Sequence, residues 1–156
     1  MRQIERAAGG IFATVGLEAV ARDEPPSVAE LRGYVDGGRI WVIAVGSRPA
    51  GFALVDVLDG HVHLEQLSVD PEYGRRGLGA ALLEHVCAWA AQAGYTAVTL
   101  TTFEHLRWNA PFYAAHGFTA LATTSLGPEL RSRRDEEAEH GLDPALRVCM
   151  RRRLDA

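Results

Sequence analysis

One stretch constrains this chain more than any other: Leu67-Ser68-Val69-Asp70-Pro71-Glu72-Tyr73-Gly74-Arg75-Arg76-Gly77-Leu78-Gly79-Ala80-Ala81-Leu82-Leu83. A β-rich run stops at Asp-Pro, a turn follows, then a basic glycine-bearing loop, then an apolar helical pattern. Glycines let a backbone approach an anion with no side chain in the way. The first turn of a helix offers N–H groups with no intrahelical acceptor and the positive end of the helix dipole. Together these features predict a phosphate cradle at the start of the helix. The spacing is neither the dinucleotide fingerprint nor a P-loop. Arg75 and Arg76 add charge suited to phosphate.

The elements around this segment place it in an α/β fold. Apolar residues at Ile4, Ala7, Ala8, Ile11 and Phe12 have helical spacing, broken at Gly9-Gly10. After Pro25-Pro26, Ser27 with Glu30 three residues on reads as a capping box, so a short helix runs to about Val35. Strand-like runs follow at Ile40 to Val45, Ala50 to Leu58 and His61 to Val69, with Asp59-Gly60 as a hairpin signal. Leu78 to Ala93 is a helix with a stripe of Leu78, Leu82, Val86, Trp89 and Ala93, capped by Gly94. Beyond it come a buried-type strand at Ala97 to Thr101, a helix at Asn109 to His116, a strand at Phe118 to Thr123, a helix at Glu129 to His140 and a strand at Leu146 to Leu154. The charged run from Arg131 to Glu139 reads as a solvated helix face. The order gives a single α/β domain over residues 1–156 with a mixed sheet. Its ligand is expected where the third strand and the next one part, at the loop before the long helix.

Composition narrows the function. A net charge of -4 argues against a nucleic-acid partner and suits a cationic small molecule. Cys87 and Cys149 match no metal-ligand or redox spacing and read as reduced thiols of a cytoplasmic protein. No apolar run is long enough for a membrane span, and the opening residues do not form a signal peptide.

Two segments together carry a family resemblance. Leu64 to Val69 with Gly74-Arg75-Arg76-Gly77-Leu78-Gly79 resembles motif A of the GNAT superfamily of N-acetyltransferases, which cradles the pyrophosphate of acetyl-CoA. Trp108-Asn109-Ala110-Pro111-Phe112-Tyr113-Ala114-Ala115-His116-Gly117-Phe118 looks like motif B, in the right order and separation. The resemblance spans residues 61 to 120. It implies a mixed, mostly antiparallel sheet flanked by helices, splayed between the strand ending at Val69 and strand 97–101. Two departures stand out. Gly74 holds the position where the motif usually has Gln or Arg. The family's usual strand before the first helix is not evident either, so either the sheet lacks that edge strand or the start falls late.

The resemblance implies acetyl transfer from acetyl-CoA, without metal, to the primary amine of a small molecule by direct attack in a ternary complex, in a monomer or homodimer. The alternatives are a non-catalytic acyl-CoA-binding module and an acetyltransferase for protein N-termini or lysines. An alkyl ammonium must lose a proton before it attacks. Glu65 is the candidate base. His63, two residues earlier and so on the same face, is the rival base or relay partner. Tyr113 matches the tyrosine that protonates the departing sulfur. Cofactor contacts fall on Arg75, Arg76, Gly77, Leu78, Gly79 and Ala80 at the phosphates, and on Leu67, Ser68 and Val69 through backbone. Asn109 caps its helix and contacts the pantetheine arm, where Tyr113 also lies. Thr101 to Trp108 is expected to wall the acceptor site, with Trp108 either stacking on the acceptor or sealing the core. Glu18, Asp23 and Glu24 are possible amine-attracting charges, while Trp41, Phe12 and Tyr34 read as core.

Overall fold

The computed structural model describes residues 1–155, so Ala156 at the end of the expected domain lies outside the described residues. Its contacts cluster into two compact units, Met1–Val55 with Gln66–Val86, and Asp56–Glu65 with Cys87–Ala156.

In the first unit α1 (Arg2–Gly9) runs into a 3₁₀ segment at Gly10–Val15, and α2 (Glu18–Ala21) follows. Helix α3 (Val28–Asp36) starts with the expected capping box. The Ser27 hydroxyl accepts from the Glu30 N–H at 3.1 Å, and the Glu30 carboxylate accepts from the Ser27 N–H at 2.7 Å. Such a cap stabilises a helix start by about 1 kcal/mol. Strand β1 (Ile40–Val45) pairs antiparallel with β2 (Arg48–Leu58). Ile4 of α1, Leu31 of α3, and Phe52 and Leu54 of β2 form the unit's buried apolar cluster, with Tyr34 and Ile40 against it.

Strand β3 (His61–Val69) starts in the second unit and ends in the first. Asp59 and Gly60, with φ of 52° and 75°, make the β2–β3 turn, the left-handed pair that an Asp-Gly hairpin calls for. Helix α4 (Leu78–Gln92) follows, ended by Gly94 at φ 88°. Its buried residues are Leu82, Leu83, Val86, Cys87 and Ala90. The expected stripe is therefore rotated: Leu78 and Trp89 are half-buried and Ala93 is exposed. The helix is apolar over much of its circumference, so periodicity alone does not fix which edge faces the core.

In the second unit β4 (Ala97–Phe103) runs parallel to β3, with Val62 opposite Val98 and His63 opposite Thr99. Strand β6 (Arg147–Arg153) lies antiparallel to β4 over seven pairs, from Ala97↔Arg153 to Phe103↔Arg147. Helix α5 (Ala110–Ala115) precedes β5 (Thr119–Leu121), which pairs with β6. β5 is shorter than expected, because Thr123–Ser125 turns into a 3₁₀ segment. Taken ladder by ladder, the six strands run β1-β2-β3-β4-β6-β5, a mixed and mostly antiparallel order. The element order opens with α1, so β1 is the edge strand at that end.

Helix α6 (Pro128–Glu139) is docked by an unusual cap. The Asp59 carboxylate, from the β2–β3 turn, accepts from the N–H groups of Glu129 at 3.0 Å and Leu130 at 2.9 Å. The Glu129 carboxylate in turn accepts from the Asp59 N–H. This is a capping box made by two segments far apart in sequence. Gly127 must be a glycine here, because a Cβ would lie 2.3 Å from the Asp59 carboxyl carbon. Leu130 then joins Leu126 and Cys149 in a buried cluster, with Leu58 and Leu121 packed on it.

Candidate active site

The loop before α4 is built by turn chemistry. The Asp70 N–H donates to Ala50 O at 2.8 Å, and its carboxylate accepts from the Glu72 N–H at 3.0 Å. The Gly74 N–H closes the Pro71–Tyr73 turn on Pro71 O at 3.0 Å. A Cβ on Gly74 would sit 3.1 Å from that oxygen, a tight contact at the position where the motif usually has a long side chain. Arg75 and Gly77 take left-handed φ of 61° and 74°, and alternation of this kind turns successive N–H groups toward one side. The first helical bond of α4 runs from the Ala81 N–H to Gly77 O, which leaves the N–H groups of Leu78, Gly79 and Ala80 without an intrahelical acceptor. Arg75 and Arg76 are exposed, with the Arg76 guanidinium 5.5 Å from the centre of the Tyr73 ring. The fit to a pyrophosphate is good: unpartnered donors, left-handed glycine and two cations share one loop. Just upstream on β3, Ser68 is buried while Leu67 and Val69 are half-buried.

The candidate acid–base residues lie in the second unit. The Arg133 guanidinium of α6 bridges Asp56 of β2, at 3.2 Å, and Glu65 of β3, which it meets in a direct hydrogen bond. Arg133 Nε also lies 3.6 Å from Glu136. The Glu65 side chain keeps 27% of its surface exposed. Burial raises its pKa, Arg133 pulls the other way, and Asp56 and Glu137 raise it further, with a net rise. Its carboxylate is therefore more basic than usual while held in place by a cation.

His63 is 1% exposed. Its Nδ1 lies 2.9 Å from the Thr99 hydroxyl, and its Nε2 lies 3.8 Å from the Glu65 carboxylate, on the shared face that alternation predicts. Burial first, then the Arg133 charge, pushes its pKa down to about 4. The ring is neutral at pH 7. A carboxylate on the Nε2 side favours the tautomer with its proton there, in which Nδ1 accepts from the Thr99 hydroxyl.

Tyr113 of α5 is 8% exposed and packs edge-on against Phe118, with ring centres 5.8 Å apart. Burial pushes its phenol above the ordinary tyrosine range, so it stays protonated and able to donate. Asn109 stands at the N-cap position of α5 but makes no side-chain cap, contrary to expectation. The reason is local. Its ψ of -114° turns the side chain off the capping direction, and Pro111 removes an N–H that a cap would bind. The Asn109 Oδ1 is left buried without a partner.

The expectation of a solvated α6 face holds for Arg131, Ser132, Asp135, Glu136 and Glu139, which are exposed, but not for Arg133, Arg134 and Glu137, which are half-buried. Arg133 faces the hairpin, Glu137 pairs with Arg147 at 3.4 Å, and Arg134 donates to Pro144 O at 3.0 Å. Arg147 in turn donates to Thr101 O at 3.0 Å and lies over the Phe103 ring. A helix with few apolar residues is held here by ion pairs rather than by a greasy stripe. Among the amine-attracting candidates, Glu24 already pairs with Arg6 at 3.0 Å, and Glu18 and Asp23 are exposed. Cys87 and Cys149 are free, buried thiols. Among the described residues no group of three His, Cys, Asp or Glu side chains could hold a metal ion, and no helix is long and apolar enough to cross a membrane.

A strand leading through a left-handed arginine–glycine loop into a helix is the arrangement that the resemblance implies for a phosphate-bearing acyl donor. The sequence matches the acetyltransferase (GNAT) family over residues 11–118, and the chain belongs to that family. Solved structures of similar fold include N-acetylglutamate synthase from Neisseria gonorrhoeae, complexed with coenzyme A and N-acetyl-glutamate, at 18% identity and a TM-score of 0.72. That match covers 99% of this chain, but the chain spans only 32% of the synthase. The ribosomal-protein-S18-alanine N-acetyltransferase of Escherichia coli matches at 19% identity and a TM-score of 0.66, over 99% of this chain and 86% of that one. The PaiA N-acetyltransferase of Thermoplasma acidophilum, in complex with coenzyme A, matches at 16% identity and a TM-score of 0.69, over 97% and 89%.

Proposed function

We propose that this protein transfers the acetyl group of acetyl-CoA to the primary amine of a small molecule by direct attack in a ternary complex. One observation carries the reading: Glu65, a carboxylate made more basic by burial, stands on the strand that leads through Leu67–Val69 into the phosphate loop. Acetyl-CoA supplies the thioester whose C–S bond breaks as the new C–N bond forms. The N–H groups of Leu78, Gly79 and Ala80, with Arg75 and Arg76, hold the pyrophosphate. The backbone of Leu67, Ser68 and Val69 pairs with the pantetheine arm like an added strand. An N–H of Leu67 or Ser68 faces the thioester oxygen as it gains charge. The Asn109 Oδ1, buried without a partner, accepts an N–H of the pantetheine arm.

Glu65 takes the ammonium proton, directly or through water. His63 is a positioning residue on this reading: its neutral Nε2–H faces Glu65 and fixes the carboxylate's orientation. Tyr113 donates to the departing sulfur. Its raised pKa makes it a hydrogen-bond donor first and a full proton source second. The pairing of Asp56 and Glu65 with Arg133 offers both signs of charge in one compact place. With Arg133 already paired to three carboxylates, so compact a cluster suits a small amine better than an extended peptide, which needs a row of backbone partners. Both units belong to one acetyltransferase domain, for which a single unfolding transition is expected.

The test has two stages. Acetyl-CoA in excess is expected to raise the melting temperature; no shift and no calorimetric binding would sink the reading. A transfer screen over amines, amino acids and aminoglycosides is then expected to find an acceptor. Turnover confined to peptides would overturn the small-molecule assignment.

A further inference from the structure

Helix α3 carries an apolar stripe that the fold uses only in part. Val28, Leu31 and Val35 recur at helical spacing and share one face. Leu31 is buried in the cluster with Ile4, Phe52 and Leu54, whereas Val28 and Val35 stay 58% and 53% exposed. Beside this face lies a cavity of about 460 Å³, lined by Met1, Val28, Leu31 and Val35 on its apolar side and by the side chains of Arg2 and Arg32. That volume falls within the range of about 300–1000 Å³ usual for small-molecule sites. No acid lines it, all its residues belong to the first unit, and none is part of the candidate active site. The two cations are under-used. Among the described residues the Arg32 side chain has no ion pair or hydrogen bond. Arg2 has Glu24 at 3.6 Å, but the same Glu24 oxygen already accepts from Arg6 at 3.0 Å. An exposed apolar strip beside two cations is complementary to a methylene chain that ends in an anion. The strip from Val28 to Val35 is about 10 Å long, which suits a medium-length alkyl chain better than a peptide helix. Glu24 and Glu5 both act on Arg2, so a dianionic phosphate is repelled more strongly than a carboxylate, which also matches the planar guanidinium fork.

We propose that this groove binds an alkyl carboxylate, with the chain along Val28, Leu31 and Val35 and the carboxylate on the guanidinium groups of Arg32 and Arg2. The chain covers the two valines that the fold leaves in water. Arg32 is the main anchor, because Arg2 is shared with Glu24. The site is additional to the acetyl-transfer site and stands without that reading.

The experiment uses the full chain with octanoate as the probe, followed by methyl NMR shifts and calorimetry. Octanoate is expected to bind with a Kd on the order of 1 mM, as a ligand of its size allows, and to move the methyl resonances of Val28, Leu31 and Val35. Butyrate keeps the head but shortens the chain, and octanol keeps the chain but lacks the charge. Each should bind at least about fivefold more weakly. Arg32→Gln should weaken octanoate about tenfold and leave octanol unchanged. Val35→Ser should weaken both about fourfold. Arg32 and Val35 are exposed, so both variants should keep the wild-type melting temperature and acetyl-CoA affinity. Unmoved methyl resonances at millimolar octanoate would overturn the proposal. So would octanol binding as tightly as octanoate, octyl phosphate binding more tightly, or an Arg32→Gln variant that binds octanoate like the wild type. Shifts caused by an acidic amphipathic peptide but not by octanoate would mark a protein-docking face and overturn it too. Failure to bind acetyl-CoA is a separate result, which counts against the acetyl-transfer reading alone.

Discussion

The loop from Gly74 to Gly77 in the first unit and the Arg133 face of α6 in the second both carry charge, yet they are held in opposite ways. The loop is a local construction. Its turn, its left-handed residues and its unpartnered N–H groups lie within a dozen residues of one another. The face of α6 exists only because Asp59, 70 residues before Glu129, caps the helix, and because Asp56 and Glu65 receive Arg133. Backbone geometry makes the loop robust to side-chain change except at its glycines. The α6 cluster depends on individual carboxylates, and each is a point of failure.

That contrast can be tested from its strongest consequence downward. Glu65→Gln is expected to lower kcat about 1000-fold, within the range for a lost general base, while calorimetry finds acetyl-CoA affinity unchanged. A loss under threefold would remove the cluster from the chemistry. Next is the pH dependence of stability set by His63. Its folded pKa of about 4 lies below the ordinary value of 6.5. The unfolded chain therefore binds the proton more readily, and stability present above pH 6.5 is lost as pH falls toward 4. The loss is about 3 kcal/mol. Urea titrations across that window should show the slope in the wild type and lose it in His63→Gln. Asp59→Ala removes the long-range cap and should cost about 2 kcal/mol in urea unfolding, with a larger fractional loss of kcat than of acetyl-CoA affinity. The smallest expected effect falls on the loop. Gly77→Val puts a β-branched residue at φ 74° and should weaken acetyl-CoA binding about tenfold with kcat at saturation preserved. If it were the more damaging to kcat, the contrast between the two regions would fail.

What the sequence made legible follows the same division. β1 and β3 fall where the residue pattern put them. So do the Ser27–Glu30 box and the Asp59-Gly60 turn, because each is specified by neighbours. The family motifs led to the loop and to Tyr113 for the same reason. The partner of Glu65 could not be read this way. Arg133 lies in a run with no apolar stripe, and only the ladder of the hairpin and the distant cap turn it inward. One signal was present: Asp56 interrupts the apolar run from Phe52 to Leu58, and a lone acid in such a run needs a cation. Asn109 misled for a different reason. Its residue type fits a cap, but Pro111 and the local ψ leave its side chain nothing to cap.

The hydrogen bonds between Asp59 and α6 also fix an order of events in folding. A contact spanning 70 residues can close only after the segments on both sides have taken shape. The β2–β3 turn forms early from its own residues, whereas α6 finds its starting point late. Damage to this clasp should therefore hasten unfolding far more than it slows folding. Arg133 is then expected to be among the last side chains to reach its place, and its pairing with Asp56 and Glu65 to report on that late step.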